Sequence, residues 1–285
     1  MEWYCLNLKD CLSLQGNNNK ILKFMGRIYM ENGSIQDYDK MNWLYNALYG
    51  DISTEQLQHL DRIELHKELL QSYGNKEISI LDSACGNGVQ ATALALNGYH
   101  VTATDISSEM IKLAREFSEK NNVKLKTSVN SWLELPGAFQ SQFDIVLNIG
   151  NSIVHSLNSK TRECDISALI QVLKKQGTLV IETRNWEKVI AENNRFTVYD
   201  KVSYQNKSYV PMYHWILNGL EQEAKVEILL QEILENNHVE LYESTLNFTP
   251  FTHQSLLDTM MKLGLTITKD TYDKECDWYM IYGKK

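Results

Sequence analysis

The segment that most restricts the fold is a short apolar run, Ile78-Ser-Ile-Leu81, that breaks into Asp82-Ser-Ala-Cys-Gly-Asn-Gly88 and then into the helical stretch Val89 to Asn97. A strand that ends in a glycine turn and opens a helix aims backbone N–H groups at whatever lies above the strand's carboxyl end. Gly98 stops the helix, and Tyr99 to Thr104 reads as a second strand. Asp105 closes that strand, about 17 residues after Gly88. A carboxylate there can accept both hydroxyls of a ribose, so the two strand ends bracket a crevice for a nucleotide-like ligand.

The alternation continues along the chain. Ser107 N-caps a helix whose inner face is Met110, Leu113, Ala114 and Phe117. Phe143 to Ile149 is a buried strand. Ile166, Leu169, Ile170 and Leu173 make a helix face ended by Lys174, Lys175 and Gly177, and Thr178 to Thr183 is another strand. Strands separated by helices of this length predict a parallel sheet covered on both faces. Upstream, Ser53-Thr-Glu-Gln56 has the form of a capping box before Leu57, Leu60 and Ile63. After Trp186 the rhythm changes. Arg195–Gln205, Ser208–Asn218, Lys225–Ile233 and Val239–Phe248 are rich in β-formers and separated by Asn-containing turns, which predicts an inserted antiparallel meander. A helix over Gln254–Leu263 and strands over Leu265–Thr271 and Asp277–Tyr282 close the chain.

Bulk properties narrow the partner. The chain has 285 residues and a formal charge of −8, a balance that repels phosphate backbones, so a small molecule rather than nucleic acid is expected. No apolar run reaches membrane-spanning length. The five cysteines, Cys5, Cys11, Cys85, Cys164 and Cys276, form no C-x-x-C pair, and no leader is recognisable; free thiols and a cytoplasmic location are expected. No His/Cys spacing suggests a metal, and the sequence is silent on oligomeric state.

The glycines alone leave a nicotinamide dinucleotide open, because Ala91 is tolerated at the third position of G-x-G-x-x-G. Three features favour another nucleoside: a terminal helix–strand–strand segment suited to a returning hairpin, Asn130-Ser-Trp132 at the third strand end, and Ile149-Gly-Asn-Ser-Ile-Val-His155 leaving the fourth. With Leu81–Gly88, Val101–Ser107, Met110 and Leu179-Val-Ile-Glu-Thr-Arg-Asn-Trp186, these segments resemble the glycine and glycine/sarcosine N-methyltransferases, a family of class I S-adenosylmethionine-dependent methyltransferases. The resemblance covers about residues 38–190.

That likeness implies an α/β, Rossmann-like sheet, mostly parallel with its last strand antiparallel, and a β meander forming a lid. It divides the chain into a lead-in (1–37), a core (38–190 with 248–285) and the lid (191–247). It implies S-adenosyl-L-methionine as cofactor, held by Ala84, Gly86 and Gly88 at its methionine part and Asp105 at the ribose. Ile106, Met110, Ser131 and Trp132 would enclose the adenine, with Ile149 and His155 touching from the fourth strand. Gly150 and Asn151 would face the substrate amine, and Arg184 its carboxylate. Tyr38, Trp43, Tyr45 and Tyr49 would close over the site, Tyr38 and Trp43 against the cofactor, with Tyr199 and Tyr213 reaching in from the lid. Asn151, Arg184 and Tyr38 would carry the reaction, in-line methyl transfer to a small amino acid or amine. The sequence departs from the family at Thr245-Leu-Asn-Phe-Thr-Pro-Phe251, where expected tyrosines are missing. A larger amine, an amino sugar or a natural-product precursor as acceptor therefore stays open, as does a cofactor-binding protein without turnover.

Overall fold

The computed structural model describes residues 34–58, 61–74, 77–140, 142–235 and 238–285. Two helices, α1 (Ser34–Met41) and α2 (Trp43–Tyr49), lead into α3 (Thr54–Gln58) and α4 (Asp61–Ser72). The capping box at α3 forms: Ser53 N–H donates to Gln56 Oε1 (2.8 Å), and Gln56 N–H to Ser53 Oγ (3.2 Å). The α/β series then runs β1 (Ser79–Asp82), α5 (Val89–Leu96), β2 (His100–Asp105), α6 (Ser108–Lys120), β3 (Lys126–Val129), α7 (Leu135–Ala138), β4 (Phe143–Asn148), α8 (Ser159–Gln171), β5 (Leu173–Arg184) and α9 (Trp186–Glu192). The insertion holds β6 (Phe196–Val198), β7 (Val202–Tyr204), β8 (Lys207–Ile216), β9 (Ala224–Ile233) and β10 (Val239–Phe248). α10 (His253–Lys262), β11 (Thr266–Asp270) and β12 (Trp278–Lys284) finish the chain.

Seven strands form one sheet in the order β11-β12-β5-β4-β1-β2-β3. β1 runs parallel to both β2 and β4, whereas β12 returns antiparallel between β5 and β11, as the expected hairpin. The strand order reverses at β1 and β4, so their carboxyl ends leave a crevice between the connections that diverge above them.

Local chemistry explains two departures from the expected elements. Leu173, Lys174 and Lys175 do not end α8 but begin β5. Gln176 sits at φ +67°, which folds this run back so that Leu173 pairs with Phe143, and Lys174 reaches Asp144 at 2.7 Å. The predicted strand over 195–205 is split into β6 and β7. Opposite the break lies Pro211, whose carbonyl accepts from Tyr199 N–H (2.9 Å) but which has no N–H to return, so the ladder cannot run through.

Buried aromatic side chains bind the second sheet to the first. Trp186, at the start of α9, packs against Trp215 of β8 and Phe248 of β10 with ring centroids 6.1 and 5.6 Å away. Cys85 and Cys276 are free thiols as expected, whereas Cys164 in α8 is disulfide-bonded, which corrects the all-free expectation. Cys5 and Cys11, with most of the 1–37 lead-in, lie outside the described residues. No helix among the described residues is long and apolar enough to cross a membrane.

Gly88 occupies the left-handed N-cap of α5 at φ +79°, and a Cβ there would come within 2.7 Å of Ala114 Cβ and 2.9 Å of its Cα. Both the torsion and the helix–helix approach demand glycine. Gly88→Ala is expected to cost about 3 kcal/mol from strain and overpacking together, read as a lower midpoint in thermal unfolding.

Candidate active site

A cavity of about 420 Å³, the size of an ordinary small-molecule site, opens above the carboxyl ends of β1, β2 and β4. Its floor is the turn after β1. Gly86 adopts φ +52°, and a Cβ on it would lie 3.0 Å from the Tyr45 hydroxyl, so glycine lets α2 close onto the turn. Asn87 Nδ2 donates to Asn46 Oδ1 (2.9 Å) and holds the same contact from the side.

Asp105 is buried at the end of β2. Its two carboxylate oxygens accept from Gly86 N–H and Ser107 N–H, each at 2.9 Å, which locks the turn to the second strand. Burial pushes its pKa up to about 6, partly offset by those backbone donors and that of Ile106. At the third strand end, Ser131 and Glu134 form a capping box, and Trp132 Nε1 donates to Ser83 O (2.9 Å), which fixes the indole on the cavity wall.

The fourth strand leaves through two left-handed residues, Gly150 (φ +70°) and Asn151 (φ +68°). The carboxylate of Glu182 on β5 accepts Gly150 N–H (2.7 Å), and its carbonyl accepts Asn151 N–H (3.2 Å). Asn151 Oδ1 is itself committed to three donors, Thr183 Oγ1 (2.9 Å), Arg184 N–H and Trp186 Nε1 (both 3.2 Å). Asn151 thus knits the β4 turn to the end of β5, and its oxygen is not offered to the cavity.

Arg184, at the end of β5, forms no ion pair among the described residues. Its guanidinium lies 4.5 Å from the Trp278 ring centroid and 5.5 Å from that of Trp215, and donates to Tyr199 Oη at 3.3 Å. Tyr199 in turn meets Tyr213 edge-on at 4.9 Å. The half-buried Tyr213 phenol is held protonated by desolvation, with Tyr49 and Tyr199 raising its pKa further and Arg184 opposing them. An aromatic shelf therefore leads from Arg184 toward Tyr49 on the cavity wall.

Among the expected site residues, Tyr38, Tyr45, Tyr49, Ala84, Gly86, Asp105, Ile106, Ser131, Trp132, Ile149, Gly150 and His155 line this one cavity. Others do not. Gly88 faces Ala114, Met110 is fully buried in the core beneath, and Trp43 packs against Tyr242 and Tyr209 of the second sheet. Asn151, Arg184, Tyr199 and Tyr213 stand beside the wall. Gln90 and Glu182 were not anticipated, whereas Asn130 lines the wall with the Asn130-Ser-Trp132 segment expected there. Gln90 had a visible signal, since apart from Thr92 it is the one polar residue in the Val89–Leu96 helix.

The lining tests which nucleoside fits. Both side-chain polar atoms of Gln90, and Oδ1 of Asn130, are buried on the wall without a hydrogen-bond partner, which favours a ligand rich in polar groups. Among the described residues, the wall carries two carboxylates, Asp82 and Asp105, and no lysine or arginine. Such a surface favours a cationic ligand over the pyrophosphate of a dinucleotide. An acid for a ribose, an indole for a base and a negative wall for a sulfonium suit S-adenosylmethionine.

Comparison with known proteins agrees. Residues 80–177 match the methyltransferase domain family, and the fold is shared with S-adenosylmethionine-dependent methyltransferases of known structure. Among curated proteins, it is similar to a glycine/sarcosine N-methyltransferase of Aphanothece halophytica, 30% identical over 129 residues, 45% of this chain and 48% of that protein. The chain spans under half the length of the curated relatives it matches first. Among solved structures, a S-adenosylmethionine-dependent methyltransferase of Clostridium acetobutylicum superposes with a TM-score of 0.66 at 15% identity, over 87% of this chain and 98% of that one. An amino pentose methyltransferase of Micromonospora echinaspora gives 0.61 at 14% identity, over 79% and 90%.

Proposed function

We propose that the protein transfers a methyl group from S-adenosylmethionine to the nitrogen of a small, carboxylate-bearing amine such as glycine or sarcosine. The observation that carries this reading is Arg184, a cation on the active edge of the sheet, held between two indoles and joined to no acid among the described residues. A planar guanidinium fixed in this way suits bidentate capture of a carboxylate. The similarity to glycine/sarcosine N-methyltransferases points the same way.

The chemistry supplied when S-adenosylmethionine is bound is an in-line displacement of its methyl by a neutral amine nitrogen. The chain's own part is positional. Asp105, Gln90, Asn130 and Trp132 would hold the nucleoside and its amino-acid tail, with Ala84 and Gly86 beneath and Ile106, Ser131 and Ile149 against the base. Asn151, through its hold on the Arg184 backbone, would set where the carboxylate sits. Tyr38, Tyr45 and Tyr49, with Tyr199 and Tyr213 from the second sheet, would exclude water and orient the amine. We take residues 191–247 as the lid over this site.

A second acceptor class is favoured by the Thr245–Phe251 segment, which lacks the tyrosines that the family resemblance leads one to expect there. An amino sugar or larger amine is the alternative acceptor, and an amino pentose methyltransferase shares the fold. A panel of amino acids, simple amines and amino sugars, assayed for S-adenosylhomocysteine release, separates the two. Turnover confined to amines without a carboxylate would overturn the first reading.

A further inference from the structure

A hydrogen-bond chain crosses the site from the N-terminal helix to the lid sheet. Tyr38 Oη lies 2.9 Å from His155 Nε2, and His155 Nδ1 lies 3.0 Å from the carbonyl oxygen of Asn247 in β10. Resting on the amine-methylation proposal above, we infer that His155 is a positioning residue that fixes the Tyr38 hydroxyl as a donor away from the cavity, so that Tyr38 offers only acceptor lone pairs to the nitrogen being methylated and selects amines that still carry an N–H.

The polarity follows from what each group can do. A carbonyl oxygen only accepts, so Nδ1 must carry the proton. Two conditions keep the second nitrogen bare. The ring is packed edge-on against Tyr38 and Phe248, with centroids 5.4 and 4.9 Å away, and no carboxylate bonds to it. Asp37 accepts from Asn247 Nδ2 at 3.5 Å, and Asp105 acts on Tyr38. Burial accordingly lowers the His155 pKa to about 4, and the imidazole is neutral at physiological pH. A neutral ring protonated at Nδ1 accepts at Nε2, and Tyr38 must donate to it. The Tyr38 phenol stays protonated, its pKa raised well above the usual value first by burial and then by Asp105 and the neighbouring tyrosines.

The consequence is specificity. A neutral primary amine has a lone pair for the incoming methyl and two N–H groups to donate, and a secondary amine keeps one. A tertiary amine has none and, with its lone pair on the incoming methyl, would turn a carbon toward the Tyr38 oxygen. An unoriented hydroxyl could rotate and donate to the nitrogen lone pair itself, which would block the attack.

The test begins with imidazole ¹⁵N spectroscopy of the ligand-free, full-length protein between pH 6 and 8. The expected result is a protonated Nδ1 and a bare Nε2 for His155; a protonated Nε2, alone or in an imidazolium, overturns the inference. His155→Asn keeps a donor for Asn247 but removes the acceptor for Tyr38, and His155→Gln can restore that acceptor. On a primary amine, His155→Asn is expected to lose about tenfold in kcat, the size of one neutral hydrogen bond. His155→Gln is expected to recover most of that loss. Equal losses in the two variants would mark His155 as structural only. The ratio of kcat/KM for a secondary over a tertiary amine, sarcosine against dimethylglycine, is expected to exceed about tenfold in the wild type and to fall toward one in Tyr38→Phe. A ratio unmoved by Tyr38→Phe contradicts the inference. If no amine is methylated at all, the functional proposal fails, and the spectrum alone still decides the polarity of the chain.

Discussion

Asp105→Asn is expected to weaken binding of S-adenosylmethionine by about 100-fold or more while leaving the ligand-free protein nearly as stable at pH 7. The Asp105 carboxylate already accepts from Gly86 and Ser107, and among the described residues its remaining lone pairs are the cavity's only anionic acceptors on the β2 side. Two ribose hydroxyls donating to a carboxylate are worth roughly 1.5–3 kcal/mol each, and an amide offers a single weaker oxygen. The stability side has the opposite sign. The folded pKa, about 6, is raised above the ordinary 3.8 by burial. The native state therefore bears no penalty below pH 3.8, and the penalty is complete only once the pH has passed 6. A shift of about two units corresponds to roughly 3 kcal/mol at pH 7. Asparagine removes that cost and leaves one backbone N–H without its acceptor, which costs about 1–3 kcal/mol. Thermal unfolding of both proteins should show the variant near the wild type at pH 7 and relatively less stable at pH 5. Cofactor affinity equal to that of the wild type would remove Asp105 from the ribose site.

The second large effect concerns the acceptor. Arg184→Ala is expected to lower kcat/KM for carboxylate-bearing amines by about 100- to 1000-fold, the cost of losing a bidentate ion pair in a partly desolvated site. Binding of S-adenosylhomocysteine should be unchanged, because Arg184 stands beside the cavity and not in its wall. Stacking on Trp215 and Trp278 contributes about 1 kcal/mol to folding, so the unfolding midpoint should move only slightly. Steady-state kinetics with matched acceptors, with and without a carboxylate, reads the effect directly. An equal loss on both would mean that Arg184 supports the fold of the site and does not recognise the acceptor.

The parts of this molecule legible in the sequence are those where a backbone requirement shows in residue type. The turn after β1 needs glycine at Gly86 and Gly88, the cap of α6 needs Ser107, and Asp105 stands at a strand end where an acid has no packing role. The helix–strand–strand ending predicted the returned β12. Less legible were features set by tertiary contact. Gly88 and Met110 follow a binding pattern in sequence, yet one is spent on Ala114 and the other on the core. The break between β6 and β7 depends on a missing N–H across the sheet at Pro211, which periodicity along one strand cannot reveal. The roles of Asn151 and Glu182 arise from pairing β4 with β5, and a polar residue inside a buried strand does not announce which neighbour it serves.

The central claim is that the cavity above β1, β2 and β4 is built for S-adenosylmethionine, and titration calorimetry of the full-length protein tests it most directly. Micromolar or tighter binding of S-adenosylmethionine and S-adenosylhomocysteine, lost in Asp105→Asn and indifferent to NAD, is the predicted result. Tight binding of NAD with no heat from S-adenosylmethionine would contradict it.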